Sequence, residues 1–384
     1  MRFSGFTDEW NEVTLNDVAT FSKGKGISKN DISNYGIECV RYGELYTKYN
    51  EMIYNIESKT DLDKNELKLS EKNDILIPCS GETAIDLATA SCIQKDQVAI
   101  GGDITVIKTN QYAPFITYYL NQKKTEIAKY AQGVSIVHLY PKDFKVMNIR
   151  IPSINEQKMI IRLLEEITKK EQLLESKYQQ YQEFKKYLMQ QIFTQKLRFD
   201  DNCQYKTKQV KDFLIESKIE SIDDINKRLT VKLNLKGITV RESKTIEIEG
   251  ATKQFIRKTG QFIYGKQNLH KGAFGIIPKE LDGYLTSSDI PSFDFKEGIE
   301  PKWFYYYFAR KSFYEKLENL STGTGSKRIS PKEFLNIKII VPEFKEQHKI
   351  VCLLEKFDEK INEISNQIVQ MNMFKKSLLQ QMFV

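Results

Sequence analysis

Gly260, Gly265 and Lys266 have the spacing of a phosphate-binding loop, but Gln267 stands where a Ser or Thr would ligate Mg²⁺. The run reads as strand and turn, so the match is taken as coincidence. Asp61 and the run Glu66, Leu67, Lys68 imitate a nuclease carboxylate cluster. They lie in a stretch dense with Asp, Lys and Glu, which reads as a solvated charged surface. Gly24-Lys25-Gly26 and Gly323-Thr324-Gly325 are lone Gly-x-Gly fragments and read as loops. No Asn/Asp-Pro-Pro-Tyr/Phe motif of an adenine methyltransferase occurs, and no Ser/His/Asp or Cys/His set stands out. Cys39, Cys79, Cys92, Cys203 and Cys352 form an odd set without a Cys-x-x-Cys pair. They suit reduced, buried thiols better than a disulfide framework or a zinc cage. His138, His270 and His348 are scattered and make no metal-ligand motif. The chain therefore reads as a binding protein without catalysis or a metal of its own.

The binding chemistry that remains is basic, polar and aromatic. A net charge of +7 is compatible with a polyanionic partner such as DNA or RNA. Arg and Lys bond guanine edges, and Asn and Gln bond adenine. Lys and Arg also anchor phosphates without reading sequence. In the first half, the candidates are Lys23, Lys25, Arg41, Tyr42, Ser80, His138 and Tyr140. In the second, they are Arg241, Lys253, Lys266, Gln267, Asn268, His270, Lys271, Lys327 and Arg328. The runs 265–271 and 322–328 are the stronger ones. Taken singly, each residue also fits an ordinary solvated surface group.

The elements that must position these groups come in two copies. Residues 151–193 return as 341–383, an offset of 190 without a gap. Pro152, Glu156 and Gln157 become Pro342, Glu346 and Gln347. Phe184, Lys185, Lys186, Leu188, Gln190, Gln191 and Phe193 become Phe374, Lys375, Lys376, Leu378, Gln380, Gln381 and Phe383. So long a period means one large module used twice, around a pseudo-two-fold axis, and not a short-unit solenoid. Within each copy, apolar residues recur every seven positions: Ile160, Ile167, Leu174, Tyr181 and Leu188, then Ile350, Phe357, Ile364, Met371 and Leu378. A second row lies four positions on, which makes a coiled-coil seam. Ser153 and Glu156 have the spacing of a capping box. No Gly or Pro follows in either run, so each predicts a helix of about 60 Å. Antiparallel pairing is expected, because parallel pairing would make the second globular part span the rod.

The chain's 384 residues, 40% of them hydrophobic, can bury a core in each half. The expected layout is 1–150, a helix at 151–198, then 199–340 and a helix at 341–384. The two globular segments diverge but share an outline. Gly102-Asp103-Ile104 answers Ser288-Asp289-Ile290, and the aromatic run at 114–120 answers 301–307. Leu139-Tyr140-Pro141-Lys142 answers Ile329-Ser330-Pro331-Lys332. Strands are expected at 74–78, 104–108, 245–249, 261–264 and 337–341. The fold class read from this is α+β. No apolar run approaches the roughly 20 residues that span a bilayer, and the start of the chain lacks a signal-peptide core. A soluble, cytoplasmic protein is expected.

This layout resembles the specificity subunit of Type I restriction–modification systems. The resemblance covers essentially the whole chain. It rests chiefly on the doubled Pro-x-x-x-Glu-Gln element at 152–157 and 342–347, supported by the Phe-Lys-Lys-x-Leu-x-Gln-Gln-x-Phe element at 184–193 and 374–383. It implies two target recognition domains, each reading one half of a split, asymmetric sequence in double-stranded DNA. It implies that the helices form an antiparallel coiled coil that sets the gap and holds two methyltransferase subunits. Up to two restriction motor–nuclease subunits would join further out. S-adenosylmethionine, ATP and Mg²⁺ would belong to those partners, with no cofactor bound by this chain. Without the resemblance, a non-catalytic two-domain scaffold for protein or glycan ligands fits the residues too. An enzyme would need a catalytic cluster assembled from distant positions.

Overall fold

A computed structural model describes residues 2–131, 137–242, 250, 252–321 and 328–383. The fold is mixed helix and strand, with two long helices, Ile154–Phe193 and Phe344–Met382. The chain divides into two compact units, Met1–Leu174 with Gln367–Val384, and Glu175–Asn366. Each unit holds one strand-rich domain and parts of both long helices.

Both domains are tied to their helix in the same way. In the first unit, strand Asn11–Thr14 pairs with Asn148–Ile151, which leads into the first long helix. In the second, Tyr205–Gln209 pairs with Lys338–Pro342, which leads into the second. Both domains then build an antiparallel three-strand frame. The first uses Ala19–Lys23, Ile104–Thr109 and Ile75–Pro78. The second uses Leu214–Ser217, Ser292–Phe295 and Phe262–Tyr264. The aromatic runs form helices Ala113–Gln122 and Pro301–Phe308, each with Pro in its first turn, where its missing N–H costs nothing. The strand expected at 245–249 lies outside the described residues.

The repeated glutamine has a physical reason. Gln157 accepts a hydrogen bond from the Tyr112 N–H (3.0 Å) and donates to the Pro152 carbonyl (2.9 Å). Gln347 accepts from the Glu300 N–H (2.8 Å) and donates to the Pro342 carbonyl (3.0 Å). Tyr112 and Glu300 are the cap residues of the two aromatic helices, and neither helix has a side-chain cap. Each glutamine is buried, so its amide must be satisfied internally. It thereby locks the start of a long helix onto its own domain.

The expected capping box at Ser153 forms only on its serine side. The Glu156 N–H donates to Ser153 Oγ at 3.4 Å, but the Glu156 carboxylate is held by Arg2 Nε and Nη2 at 3.0 and 2.8 Å. A charged fork outcompetes the backbone N–H for a carboxylate. In the second copy, the Glu346 carboxylate accepts from the Phe199 N–H at 2.7 Å. The acid of the motif thus ties down the start of each domain.

The helices run antiparallel within each unit. In the first, Lys375 pairs with Glu171 at 3.1 Å, while Leu378 and Met382 join the core that holds Ile160 and Leu164. In the second, Tyr181 meets Phe357 (centroids 6.3 Å) and Lys185 pairs with Asp358, while Ile192 joins the core that holds Ile350 and Leu354. The helix that ends each pair closes the other module's domain. Phe383 packs on Phe115 at 5.3 Å, and Phe193 on Tyr307 at 5.6 Å. Burial along the seam is uneven. Ile160, Ile167, Ile350, Ile364 and Leu378 are buried, whereas Leu174, Tyr181, Leu188, Phe357 and Met371 are half-buried.

Four cysteines are buried as expected, but Cys352 is exposed, on the polar side of the second long helix. Its Sγ lies 3.6 Å from His348 Nε2, one helical turn back. Heptad spacing places position 352 off the seam, and that governs its exposure more than residue type. Among the described residues, no helix is long and apolar enough to cross a membrane. No group of three or more His, Cys, Asp or Glu side chains among them could hold a metal.

Candidate nucleic-acid interface

The two three-strand frames end in the same backbone lattice. In the first unit, the Cys79 N–H bonds the Asp103 carbonyl (2.8 Å), and the Leu139 N–H bonds the Cys79 carbonyl (3.0 Å). In the second, the Lys266 N–H bonds the Asp289 carbonyl (2.9 Å), and the Ile329 N–H bonds the Lys266 carbonyl (2.9 Å). Next in sequence come Tyr140 or Ser330, then the short helices Pro141–Lys145 and Pro331–Leu335. Lys23 ends the neighbouring strand of the first frame, and Lys218 follows that of the second. Matched backbone positions therefore carry unlike side chains: Cys79 against Lys266, and Tyr140 against Ser330.

The first edge is aromatic and basic. The His138 and Tyr140 rings stack with centroids 6.1 Å apart and 18° between planes. Lys23 and Lys142 lie over the Tyr140 ring at 5.8 and 5.7 Å. Ser80 and His138 Nδ1 share a hydrogen bond of 3.2 Å across the pair of strands Ser80–Gly81 and Val137–His138. Ser80 is only 7% exposed, so it orients the imidazole more than it faces solvent.

A cleft of about 940 Å³ in the same unit is lined by Arg41, Tyr42, Lys48 and the glycines Gly26, Gly43 and Gly102. Its loop depends on Gly24, where a Cβ would lie 1.9 Å from the Gly101 carbonyl oxygen. Lys25 is exposed on that loop. Buried Glu44 sets the Arg41 backbone. It accepts from the Arg41 N–H at 3.0 Å, from Lys48 at 3.1 Å, and from the Ser58 hydroxyl. Burial alone would push this carboxyl up, but the bonds from Ser58, Arg41 and Lys48 outweigh it and hold the group below its usual range.

The second edge is cationic. A cleft of about 350 Å³ is lined by Arg257, Lys218, Lys266 and Lys332, with Ser288 and Ser330. Arg257 is 1% exposed. Its guanidinium bonds neutral acceptors: Thr286 Oγ1 (2.6 Å), the Ser217 carbonyl (3.2 Å), Ser292 Oγ (2.9 Å) and the Ile290 carbonyl (3.1 Å). Burial pushes it down to about 10, partly offset by the charge of Glu216. Arg328 pairs with Asp289 at 3.0 Å beside this edge.

The remaining candidates do not line this cleft. Gln267 and Lys271 are exposed on the tight turn closed by Gly265 and Ala273, while Asn268 and His270 are half-buried in it. Lys253 is paired with Glu220. Arg241 follows strand Ile238–Val240, with its N–H on the Arg228 carbonyl. Lys327 lies outside the described residues, as does the Gly323–Gly325 fragment. The phosphate-loop look-alike at 260–267 runs through strand Phe262–Tyr264 into that turn and opens no long helix.

Sequence reasoning missed Lys142, Lys218, Arg257, Ser330 and Lys332. Three carried a signal. Lys218 follows Ser217 as Lys23 follows Ser22, 195 positions earlier. Ser330 and Lys332 answer Tyr140 and Lys142 in the offset-190 repeat. Arg257 had no such signal, because burial of a lone arginine just after strand Gln254–Ile256 is visible only once the sheet is built.

A family model described as the Type I restriction modification DNA specificity domain matches residues 7–183 and 204–371. The Type I restriction enzyme MjaVIII specificity subunit of Methanocaldococcus jannaschii is 21% identical over 97% of this chain and 91% of its own length. Among solved structures, the S subunit of a Type-I restriction-modification system from M. genitalium superposes with a TM-score of 0.61 at 15% identity. That match covers 100% of this chain and 97% of the other. The HsdS subunit from Thermoanaerobacter tengcongensis gives 0.53 at 14% identity, over 98% and 97% of the two chains. These structural likenesses bear on the fold.

Proposed function

Because the chain belongs to the DNA-specificity family of Type I restriction–modification systems, we propose that it reads a split, asymmetric DNA sequence, one half with each unit. The observation that carries this is the shared backbone lattice holding unlike side chains. One edge offers a stacked His–Tyr pair flanked by lysines, and the other a serine-lined cationic cleft. A common scaffold keeps the approach to DNA the same, while different side chains select different bases.

The long helices set the gap between half-sites and dock two methyltransferase subunits. In support, Phe184 and Phe374, at matching positions of the repeat, are 50% and 54% exposed on polar helices. Aromatic side chains exposed in this way are typical interface anchors. Up to two motor–nuclease subunits complete the assembly. S-adenosylmethionine, ATP and Mg²⁺ act in those partners, and this chain supplies recognition. Family membership weighs against the scaffold reading.

Tyr140→Ala combined with Lys23→Ala should weaken binding to DNA carrying the authentic first half-site by about 10- to 100-fold, at roughly 1–3 kcal/mol for a lost base contact. Binding differences among second half-site variants should persist. The check is competition binding of the assembled methyltransferase with duplexes altered in one half at a time. Equal loss of discrimination in both halves would contradict a divided reading.

A further inference from the structure

We infer that Arg257 is the floor of a phosphate seat in the second unit, with Lys266 and Lys332 as its walls. The inference rests on the reading that this edge meets DNA, and it names the ligand as one backbone phosphate.

A guanidinium has five N–H groups. Four hydrogen bonds from Arg257 go to two hydroxyls and two carbonyls, none of them charged, which leaves one Nη2 hydrogen over among the described residues. A buried cation without a carboxylate is costly unless an anion arrives. Glu216, the acid that acts on it electrostatically, is itself paired with Lys218 at 2.9 Å. Among the described residues neither Lys266 nor Lys332 has an acidic partner, and both line the same cleft as Arg257. The local balance of Arg257, Lys218, Lys266 and Lys332 against Glu216 is therefore strongly positive. Ser288 and Ser330 add hydroxyls at the rim. The spare Nη2 hydrogen of a buried arginine, with lysine and serine neighbours, can meet the oxygens of a phosphate by a charge-assisted bond.

The seat also has a positional meaning. The Lys266 backbone is fixed by the bonds to Asp289 and Ile329 described above, so its side chain starts from a rigid point. In the first unit, the matching position is Cys79, which is buried. The seat therefore belongs to the second half-site alone.

The test uses the chain assembled with its methyltransferase partner and duplexes bearing a neutral methylphosphonate at successive backbone positions. In the wild type, one position within the second half-site should lose about ten-fold in affinity, the scale of a charged hydrogen bond. In Lys266→Ala and Arg257→Lys, the same substitution should cost nothing further. The log–log salt slope should flatten by about 0.9 for one lost phosphate. Lys266→Ala removes a half-exposed side chain and keeps the test valid where Arg257→Lys fails to fold. Specific DNA binding with methylphosphonate losses identical in wild type and variants would overturn the seat and leave the proposed function standing. If specific DNA binding is absent, titration with inorganic phosphate decides. Saturable binding lost in Lys266→Ala supports the anion seat while removing its DNA source, and absence of saturable binding overturns it.

Discussion

Leu164→Asp should lower the melting temperature of the first unit by at least about 10 °C, whereas Leu173→Glu, nine residues along the same helix, should leave it nearly unchanged. Leu164 is fully buried in the core that holds Phe115, Leu378, Met382 and Phe383. A carboxylate there has no basic partner within that apolar cluster. It must be buried charged or take up a proton, and the cost is several kcal/mol, in the severe tail for single substitutions. At roughly 2–4 °C per kcal/mol for units of this size, the shift is large. Leu173 is 69% exposed, and position 363, its counterpart in the repeat, already carries Glu, which is exposed. Surface changes of this kind stay within about 0.5 kcal/mol. The measurement is thermal melting of both variants beside the parent. Equal melting temperatures would mean that the first-unit core does not depend on the seam.

Adding four residues to both long helices, after residues 174 and 366, should widen the gap between half-sites by about two base pairs. Four helical residues add about 6 Å, and a base step is about 3.4 Å. Residues 174 and 366 are where the two units divide, so neither core is cut. A four-residue insertion in a heptad seam is a stutter, absorbed by local unwinding. Methylation mapping of the variant reads the new gap. Both half-sites should be unchanged, since no residue of either recognition edge is altered. An unchanged gap in an assembled, active complex would remove the helices as the ruler.

Much of this was legible before the fold. The heptads and the 190-residue offset marked both long helices, and proline followed by aromatics marked the two short ones. Those signals are local and periodic, so they survive without tertiary information. The tie between Glu156 and Arg2 spans 154 positions, and no spacing rule reaches it. The role of Gln157 and Gln347 emerges only when Tyr112 and Glu300 arrive at the helix starts. The candidate site was half legible. Lys23, His138 and Tyr140 meet at one edge, and Lys266 meets a second one. Lys253, by contrast, is neutralised by Glu220, a partner no local pattern could assign. Arg257 escaped because an exposed arginine and a buried one look alike in sequence.

The measurement that bears most directly on the proposed function is a genome-wide map of N6-methyladenine in cells that express the methyltransferase with and without this chain. A two-part motif with a fixed gap should be methylated only when the chain is present. Tyr140→Ala with Lys23→Ala should relax the first part alone. An identical methylation pattern with and without the chain, in cells where the complex assembles, would contradict it.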